Sequence, residues 1–515
     1  MLTQSVGIRS LAVSFPSTIR PNQYWLDQFP DLFVASEQRQ ARQHQSLTVQ
    51  PAQTRFEQAG IDLWLQEVTP YLADPFRGSV ERRVLLPHES SLMLECQAAQ
   101  EALQAAELSP DQIDLAIVTS LFPDAVGPGS AADFARALGL SCPAWSLEST
   151  CSSALVALQT AQAFVQHGTY RTVLIVVSHV GSRAVNEADT LSWSLGDGAG
   201  AWIVSHVPAD RGILSTHIMP TTATCGAYVH ELVIDQSGAP RIQTRTGDQA
   251  SRLAETAVDT VRQCCQAAVQ AAGVSLDQIA CFAINTPTAW YASVCAKALG
   301  IDPARIMNLY PVYANIGPVF PMANLHHAAT TGQLQAHDLV LVYTNGAAAT
   351  AAATVMRWGK VALGTSPTQS CQRSPQPREL SRAAPISSLN ELEKEEVGLT
   401  DLRSQLLAAL PRDRHSILEA ALLEWLAQAR QLEPAQLNSQ SLLTTVLDSL
   451  MAIVLRHRLE TELQIPVPME AFFGEQTIAD LINFLLQQLM ISELVETNAI
   501  VLNSSHSVER EIFSL

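Results

Sequence analysis

The stretch Ser109-Pro-Asp-Gln-Ile-Asp-Leu-Ala-Ile-Val-Thr-Ser120 has a counterpart 166 residues further along, in Ser275-Leu-Asp-Gln-Ile-Ala-Cys-Phe-Ala-Ile-Asn-Thr286. Each stretch follows an Ala/Gln-rich segment with helical periodicity and runs from a helix cap into an apolar strand. A helix–turn–strand unit is therefore predicted twice. Such units are common in α/β proteins, so an internal duplication needs a second correspondence to support it.

The segments that follow the two copies supply that correspondence. After the first copy come a Cys-containing turn, an Ala/Leu-rich helix, an apolar strand and the run Gly196-Asp-Gly-Ala-Gly-Ala201. After the second come Asn315, a helix, an apolar strand and the run that begins Asn345-Gly-Ala-Ala348. We therefore predict an α/β pseudo-dimer with halves at 1–205 and 206–360, and a site between the halves.

The character of the chain changes after Trp358. Residues 361–412 are rich in Ser, Pro, Gln and charges, which is typical of a flexible linker. Amphipathic helical periodicity returns over 413–492 and predicts a small helical bundle. We expect the polar residues 493–515 to form a loosely ordered tail.

Composition limits the classes of function. The chain has 515 residues, 47% of them hydrophobic and 16% charged, which is the profile of a globular protein with an ample core. Its formal net charge is −18, so neither nucleic acid nor an anionic membrane surface is expected as a partner. No stretch is long and apolar enough for a membrane span, and we see no secretory signal, so a cytoplasmic location is expected.

The cysteines indicate neither a metal site nor a disulfide framework. None of the nine forms a CxxC pair or a Cys/His ligand spacing. We therefore expect reduced thiols and no bound metal.

Cys151 is the candidate nucleophile. It lies in Glu148-Ser-Thr-Cys-Ser-Ser-Ala-Leu-Val156, between a strand and the start of a helix, where the helix dipole and free amides favour a thiolate. A buried structural cysteine is the alternative. Asn315 lies nearly one repeat further on, so the two-fold would bring it to the same interface, although an Asn in Ala-Asn-Ile-Gly-Pro also suits a plain turn.

The C-terminal bundle offers a second candidate site in Leu447-Asp-Ser-Leu-Met451. Ser449 stands at a helix start after a polar loop, and both Asp and Ser are favoured helix caps. Taken alone, a cap is the simpler interpretation. In a small bundle behind a flexible linker, the same motif is a recognised site of covalent attachment.

These motifs carry two family resemblances. The Cys151 turn, the Gly196–Ala201 run, Asn315 with its helix, and the Gly346 loop resemble the thiolase-fold condensing enzymes, closest to ketoacyl-ACP synthase III. This implies a duplicated five-layered αβαβα fold. Residues 415–490 resemble the acyl carrier domains of polyketide synthases, through Leu447–Met451, Arg456-His-Arg-Leu459 and Ala471-Phe-Phe-Gly474. This second resemblance implies a 4′-phosphopantetheine arm on Ser449, attached by a phosphopantetheinyl transferase.

The first resemblance also implies catalytic roles, with two departures. Cys151 would take an acyl group from acyl-coenzyme A or an acyl-carrier thioester, and Asn315 would hold a malonyl carbonyl. The family's His is replaced by Asn285, which cannot act as an acid or base near pH 7. The family's Gly-Gly-Gly oxyanion loop becomes Gly346-Ala347-Ala348, where an added Cβ can disturb a close approach.

Three functions follow as hypotheses. The first is an acyltransferase that passes an acyl group from Cys151 to the Ser449 arm or to another acceptor. The second is decarboxylative condensation with a malonyl thioester, assisted by Asn285 and Asn315. The third is a catalytically degenerate carrier and docking protein. The resemblances further imply a homodimer that works with other polyketide or fatty-acid biosynthetic proteins.

Overall fold

The protein is described by a computed structural model that covers residues 4–32, 58–71, 74–124, 130–234, 238, 240–247, 249–365, 402–430, 437–447, 449–472 and 476–492. Its described residues up to 365 form one compact unit, and those from 402 onward form another. Most of the predicted linker 361–412 and all of the tail 493–515 lie outside the described residues. The boundaries proposed for the two halves stay predictions.

The first unit contains both strands and helices. The strands are β1 (Ser5–Ser14), β2 (Ile19–Pro21), β3 (Glu81–Arg83), β4 (Leu115–Leu121), β5 (Ala144–Ser146), β6 (Thr172–Val180), β7 (Asp197–Val207), β8 (Gly212–Pro220), β9 (Tyr228–Ile234), β10 (Pro240–Thr246), β11 (Ile279–Ile284), β12 (Leu339–Asn345), β13 (Thr350–Arg357) and β14 (Ala362–Leu363). The helices are α1 (Gln23–Gln28), α2 (Gln58–Val68), α3 (Ser91–Ala105), α4 (Ala131–Leu138), α5 (Ser153–His167), α6 (Ala250–Ala272), α7 (Tyr291–Leu299), α8 (Tyr310–Tyr313) and α9 (Phe320–Thr330).

The two main sheets share a four-stranded core with the same order of pairing. The first runs β14-β1-β7-β6-β4-β5 and the second runs β11-β12-β13-β8. The core β1-β7-β6-β4 matches β8-β13-β12-β11, with two antiparallel pairings followed by a parallel one in each sheet. The order of pairing in space therefore repeats the duplication read from the sequence.

The duplicated Asp-Gln-Ile motifs also share their local structure. Each begins a single 3₁₀ turn with a capping box, formed by Ser109 with Gln112 in the first copy and by Ser275 with Gln278 in the second. A strand follows directly in both cases, β4 and β11. The capping box satisfies backbone donors that would be orphaned at the turn, which fixes where the chain turns into the sheet.

Five layers result from the way these elements pack. Helices α5 and α9 lie in the middle, within one apolar cluster shared by the facing sides of both sheets. Helices α3 and α4 cover the outer side of the first sheet, and α6 packs on the second through β8 and β13. On β6, Val173, Ile175 and Val177 face the central layer, because side chains alternate along a strand. The predicted thiolase-type fold is confirmed.

The second unit is a small helical bundle, as predicted. Its helices are α10 (Leu402–Ala408), α11 (Pro411–Arg430), α12 (Leu443–Val446), α13 (Ser449–Leu463) and α14 (478–492). Leucines and isoleucines at helical spacing form its core, among them Leu422, Leu455 and Ile482. Of the helices in the described ranges, none is long and apolar enough to cross a bilayer.

Candidate active site

Cys151 lies in a 3₁₀ turn, Thr150–Ser152, directly before helix α5. The helix begins at Ser153, so Cys151 lies close to its start, as the sequence predicted. Thr150 has a φ of +48°, which is rare for a β-branched residue. Ala314, the residue before Asn315, has a φ of +53°. Backbone strain of this kind persists where the surrounding structure enforces it, and it concentrates at functional sites.

The ionisation of Cys151 differs from the expectation drawn from the helix terminus. Burial raises the pKa of the thiol to about 12, and the nearby Glu148 carboxylate raises it further, against a smaller opposing contribution from the residue's own backbone N–H. Desolvation of the charged form outweighs the helix dipole here. The residue as a whole is partly exposed.

The Cys151 turn is fixed by hydrogen bonds to the second half of the duplication. Ser149 Oγ is 2.7 Å from Thr350 Oγ1, and Ser152 Oγ donates to the Thr350 carbonyl at 2.8 Å. Thr344 Oγ1 donates to Ser152 Oγ at 3.1 Å. These contacts join residues about two hundred positions apart, so the turn lies at the interface between the two halves.

Gly346 is required by close packing against the same turn. A Cβ at this position would lie 2.5 Å from Thr150 Oγ1 and 2.7 Å from the Thr350 carbonyl oxygen. The Gly346 N–H itself donates to that carbonyl at 2.8 Å, so it is already paired. Ala347 is partly exposed, and no hydrogen bond among the described residues uses its N–H. The added methyl group of Ala347 is therefore accommodated, and its amide is available to a ligand.

Asn285 and Asn315 meet at one residue, Gly317. Asn285 Nδ2 donates to the Gly317 carbonyl at 2.7 Å, and Asn315 Oδ1 accepts from the Gly317 N–H at 2.9 Å. Asn285 is only 2% exposed, whereas Asn315 is partly exposed. The turn Gly317–Val319 contacts the Cys151 turn. The structure therefore brings Cys151, Asn285 and Asn315 into one region. The side-chain N–H₂ of Asn285 already donates to the protein backbone there.

His179 is a further candidate residue that the sequence did not indicate. His179 is near the end of β6, is 3% exposed, and faces the central layer by the alternation of Val173, Ile175 and Val177. Its ring packs against Gly317. A polar residue at the inward-facing end of an otherwise apolar strand was the available signal.

Ser449 is the first residue of α13. Asp448 and the Ser449 side chain lie outside what the structure describes. The preceding Val446 and Leu447 are buried at 4% and 7% exposure, so the chain is anchored just before this position. A helix N-terminus favours an anionic group, and a phosphodiester fits that chemistry. Across the described residues, no cluster of His, Cys, Asp or Glu could hold a metal ion.

Comparisons with known proteins agree with this geometry. The family model described as 3-oxoacyl-[acyl-carrier-protein] synthase III matches residues 146–221, and its C-terminal counterpart matches 269–358. The model described as a phosphopantetheine attachment site matches 421–485.

Relatives and solved structures cover the N-terminal unit. The β-ketoacyl-[acyl-carrier-protein] synthase III of Bartonella henselae is 28% identical over 288 residues, which span 55% of this chain and 88% of that protein. The synthase III structure from Aquifex aeolicus aligns with a TM-score of 0.53 at 23% identity, over 69% of this chain and all of the other. OleA of Xanthomonas campestris aligns with a TM-score of 0.55 at 18% identity, over 70% and 100%.

The family models lie on the residues that form the site. The first covers the Cys151 turn, and the second covers Asn285, Asn315 and the Gly346 loop. The third covers Ser449. The chain is a ketoacyl-ACP synthase III-like protein that carries a phosphopantetheine-attachment domain toward its C-terminal end.

Proposed function

We propose that the N-terminal unit is an acyltransferase that loads an acyl group on Cys151 and passes it to an acceptor without malonyl decarboxylation. This proposal depends mainly on the burial of Asn285 and on the hydrogen bond that its side chain makes to Gly317. Decarboxylative condensation needs donors that stabilise the enolate formed from the malonyl thioester. Asn285 stands where the resemblance expects a His, is almost fully buried, and donates to the Gly317 carbonyl. We infer that Asn285 positions Gly317 rather than touching substrate.

Acyl loading needs fewer groups than condensation. Cys151 Sγ, after loss of its proton, attacks the thioester carbonyl, the donor thiolate leaves, and the acyl group is held as a thioester on Cys151. We infer that the backbone amides of Cys151 and Ala347 stabilise the tetrahedral oxyanion. The Asn315 side chain keeps its own N–H₂ available, because only its oxygen is used by Gly317.

The C-terminal domain supplies a carrier. We propose that Ser449 is the attachment residue for 4′-phosphopantetheine. When bound, this group supplies a thiol that holds an acyl chain as a thioester. Ser449 contributes the hydroxyl oxygen to the phosphodiester, and the N-terminus of α13 stabilises the phosphate charge. The proposed acyl donors are acyl-coenzyme A and acyl-carrier thioesters. We also propose that the protein is a homodimer and that it acts in the cytoplasm.

Decarboxylative condensation is the second candidate. The relatives in the comparison are named β-ketoacyl synthases, and the free N–H₂ of Asn315 suits one malonyl carbonyl contact. Release of carbon dioxide from malonyl-coenzyme A distinguishes this function from simple transfer.

The proposal is tested by intact-mass measurement and peptide mapping of the full chain after incubation with acetyl- or hexanoyl-coenzyme A. We expect one acyl adduct on the Cys151 peptide, lost in Cys151→Ala. Cys225→Ala is the matched control, because Cys225 is an exposed cysteine outside the site, and it should be acylated like wild type. An adduct that persists in Cys151→Ala, or no adduct in wild type, would contradict the proposal.

A further inference from the structure

His179 is held in one orientation by three glycines. Its Nδ1 lies 2.9 Å from the carbonyl oxygen of Gly196, and its ring lies against Gly181 and Gly317. A Cβ on Gly317 would lie 2.7 Å from His179 Cδ2, so no larger residue fits there without moving the ring. Gly317 has a φ of +51°, which also favours glycine. The packing therefore selects a single ring position.

The hydrogen bond fixes the tautomer of this ring. A carbonyl oxygen can only accept, so Nδ1 must carry the proton and Nε2 must carry the lone pair. No residue in the described part of the chain hydrogen-bonds Nε2. Burial lowers the pKa of His179 to about 4, so the ring is neutral at pH 7. Nε2 is therefore a proton acceptor that the protein itself does not use.

Its location connects this lone pair to the proposed reaction. Gly317, against which the ring packs, is the residue held by both Asn285 and Asn315. The turn that starts at Gly317 also contacts the Cys151 turn. The His179 ring and the Cys151 turn thus both adjoin the Gly317–Val319 turn.

We propose that His179 is the proton acceptor of this site, which takes the proton of the incoming acceptor group as that group attacks the Cys151 thioester. This inference rests on the proposed acyl transfer. The acceptor, written Z–H with Z a sulfur, oxygen or nitrogen, forms a bond to the acyl carbon while its proton moves to His179 Nε2. The tetrahedral intermediate then collapses, the C–Sγ bond breaks, and the proton passes from His179 to Cys151. Acyl-Cys151 plus Z–H gives acyl-Z plus the free thiol, and no other reactant is needed.

The charge changes in this step are consistent with the low basicity of the resting ring. Formation of an oxyanion next to His179 favours the imidazolium, because an adjacent opposite charge stabilises the charged form. The same tautomer cannot donate from Nε2 to a malonyl carbonyl. The geometry therefore favours transfer to a Z–H acceptor over decarboxylation.

The groups around His179 define the alternative base. Phe122 lies between two histidine rings, with centroids 5.5 Å from His179 and 5.3 Å from His230. His230 is exposed, interacts electrostatically with Glu148, and lies 2.9 Å from Thr244 Oγ1 through its Nδ1. It is a second imidazole close to His179, so the experiment is designed to distinguish the two histidines.

The experiment compares His179→Gln with His326→Gln in the full-length chain. His326 is an equally buried histidine, at 2% exposure, that is paired with the Gly364 carbonyl away from the site. Acyl-Cys151 is formed from hexanoyl-coenzyme A, the excess is removed, and loss of the adduct is followed with N-acetylcysteamine at about pH 6, where this thiol is protonated. Hydroxylamine serves as a second acceptor whose attack needs no base.

We expect His179→Gln, once acylated, to react with hydroxylamine like wild type. Its acylation by hexanoyl-coenzyme A and its transfer to N-acetylcysteamine should both slow roughly 100-fold or more, because these are the forward and reverse directions of one proton transfer. His326→Gln should transfer at the wild-type rate. Wild-type transfer in His179→Gln would overturn the inference. Failure of wild type to acylate would instead overturn the proposed function.

A measurement on the wild-type chain decides the question if His179→Gln does not fold. A base with a pKa of about 4 stays neutral at higher pH, so the transfer rate should not fall between about pH 8 and about pH 5. A rate that falls through the ordinary histidine range near 6.5 would assign the base to a less buried group than His179, and would overturn the inference.

Discussion

At the scale of single residues, the site depends on groups held in positions they would not adopt alone. Thr150 has a positive φ, and its Oγ1 is buried without a hydrogen-bond partner. Both features cost free energy, of the order of 1–3 kcal/mol each. They are maintained because Ser149 and Ser152 are anchored on Thr350. The backbone of the Cys151 turn is therefore held by its contacts with Thr350.

The raised pKa of Cys151 predicts how its reactivity changes with pH. The thiolate is the reactive form, and with a pKa of about 12 its fraction rises by about tenfold per pH unit between about pH 7 and about pH 10. Alkylation by iodoacetamide, followed on the Cys151 peptide, should rise accordingly without a plateau. A small free thiol is the control, because it levels off above about pH 8.5. A plateau for Cys151 below about pH 8 would mean that the helix N-terminus dominates.

At the scale of elements, the Gly346 loop and the Cys151 turn act as one unit. Gly346→Ala would place a methyl group in steric clash with Thr150 Oγ1 and the Thr350 carbonyl oxygen. We expect a loss of stability of about 1–3 kcal/mol, and a larger proportional loss in the rate of Cys151 acylation. The measurements are the free energy of unfolding in urea and the rate of adduct formation.

Gly60→Ala is the matched control for that substitution. A Cβ at Gly60 would meet Val258 at 3.5 Å, an ordinary contact, and Gly60 lies in helix α2. It should leave acylation unchanged and should not lower stability, because Ala is the better helix former. If Gly346→Ala behaves like Gly60→Ala, the loop does not constrain the turn.

Some of the helices and strands could be predicted from the sequence. The duplicated helix–turn–strand unit is encoded locally, by a capping box and an apolar run, so it was recognisable in both copies. The exact ends of the elements, such as the start of α3 at Ser91 and the end of β6 at Val180, were not predicted.

The role suggested for His179 could not be read from the sequence. It depends on contacts with Gly196 and Gly317, and the second of these comes from the other half of the duplication. The commitment of Asn285 to Gly317 is likewise a contact made only in the folded state. Sequence identified Cys151, Asn315 and Asn285 as candidates, and their hydrogen-bond partners required the structure.

At the scale of the whole molecule, the chain combines a synthase III-like unit with a phosphopantetheine-attachment domain. The two units have separate cores. We therefore predict that Ser449→Ala abolishes the mass increase produced by a phosphopantetheinyl transferase and coenzyme A, while leaving Cys151 acylation at the wild-type level. Ser441→Ala, in the same domain, is the control that should still be modified. Modification that persists in Ser449→Ala would move the attachment site elsewhere.

We predict that the acyl group on Cys151 is transferred and not extended. The most direct measurement supplies the phosphopantetheinylated chain with hexanoyl-coenzyme A and carboxyl-labelled malonyl-coenzyme A, then records released carbon dioxide and the masses of the Cys151 and Ser449 peptides. We expect an unextended hexanoyl group that leaves Cys151, with no labelled carbon dioxide above the Cys151→Ala background. Labelled carbon dioxide together with a β-ketoacyl mass on the Ser449 peptide would contradict it.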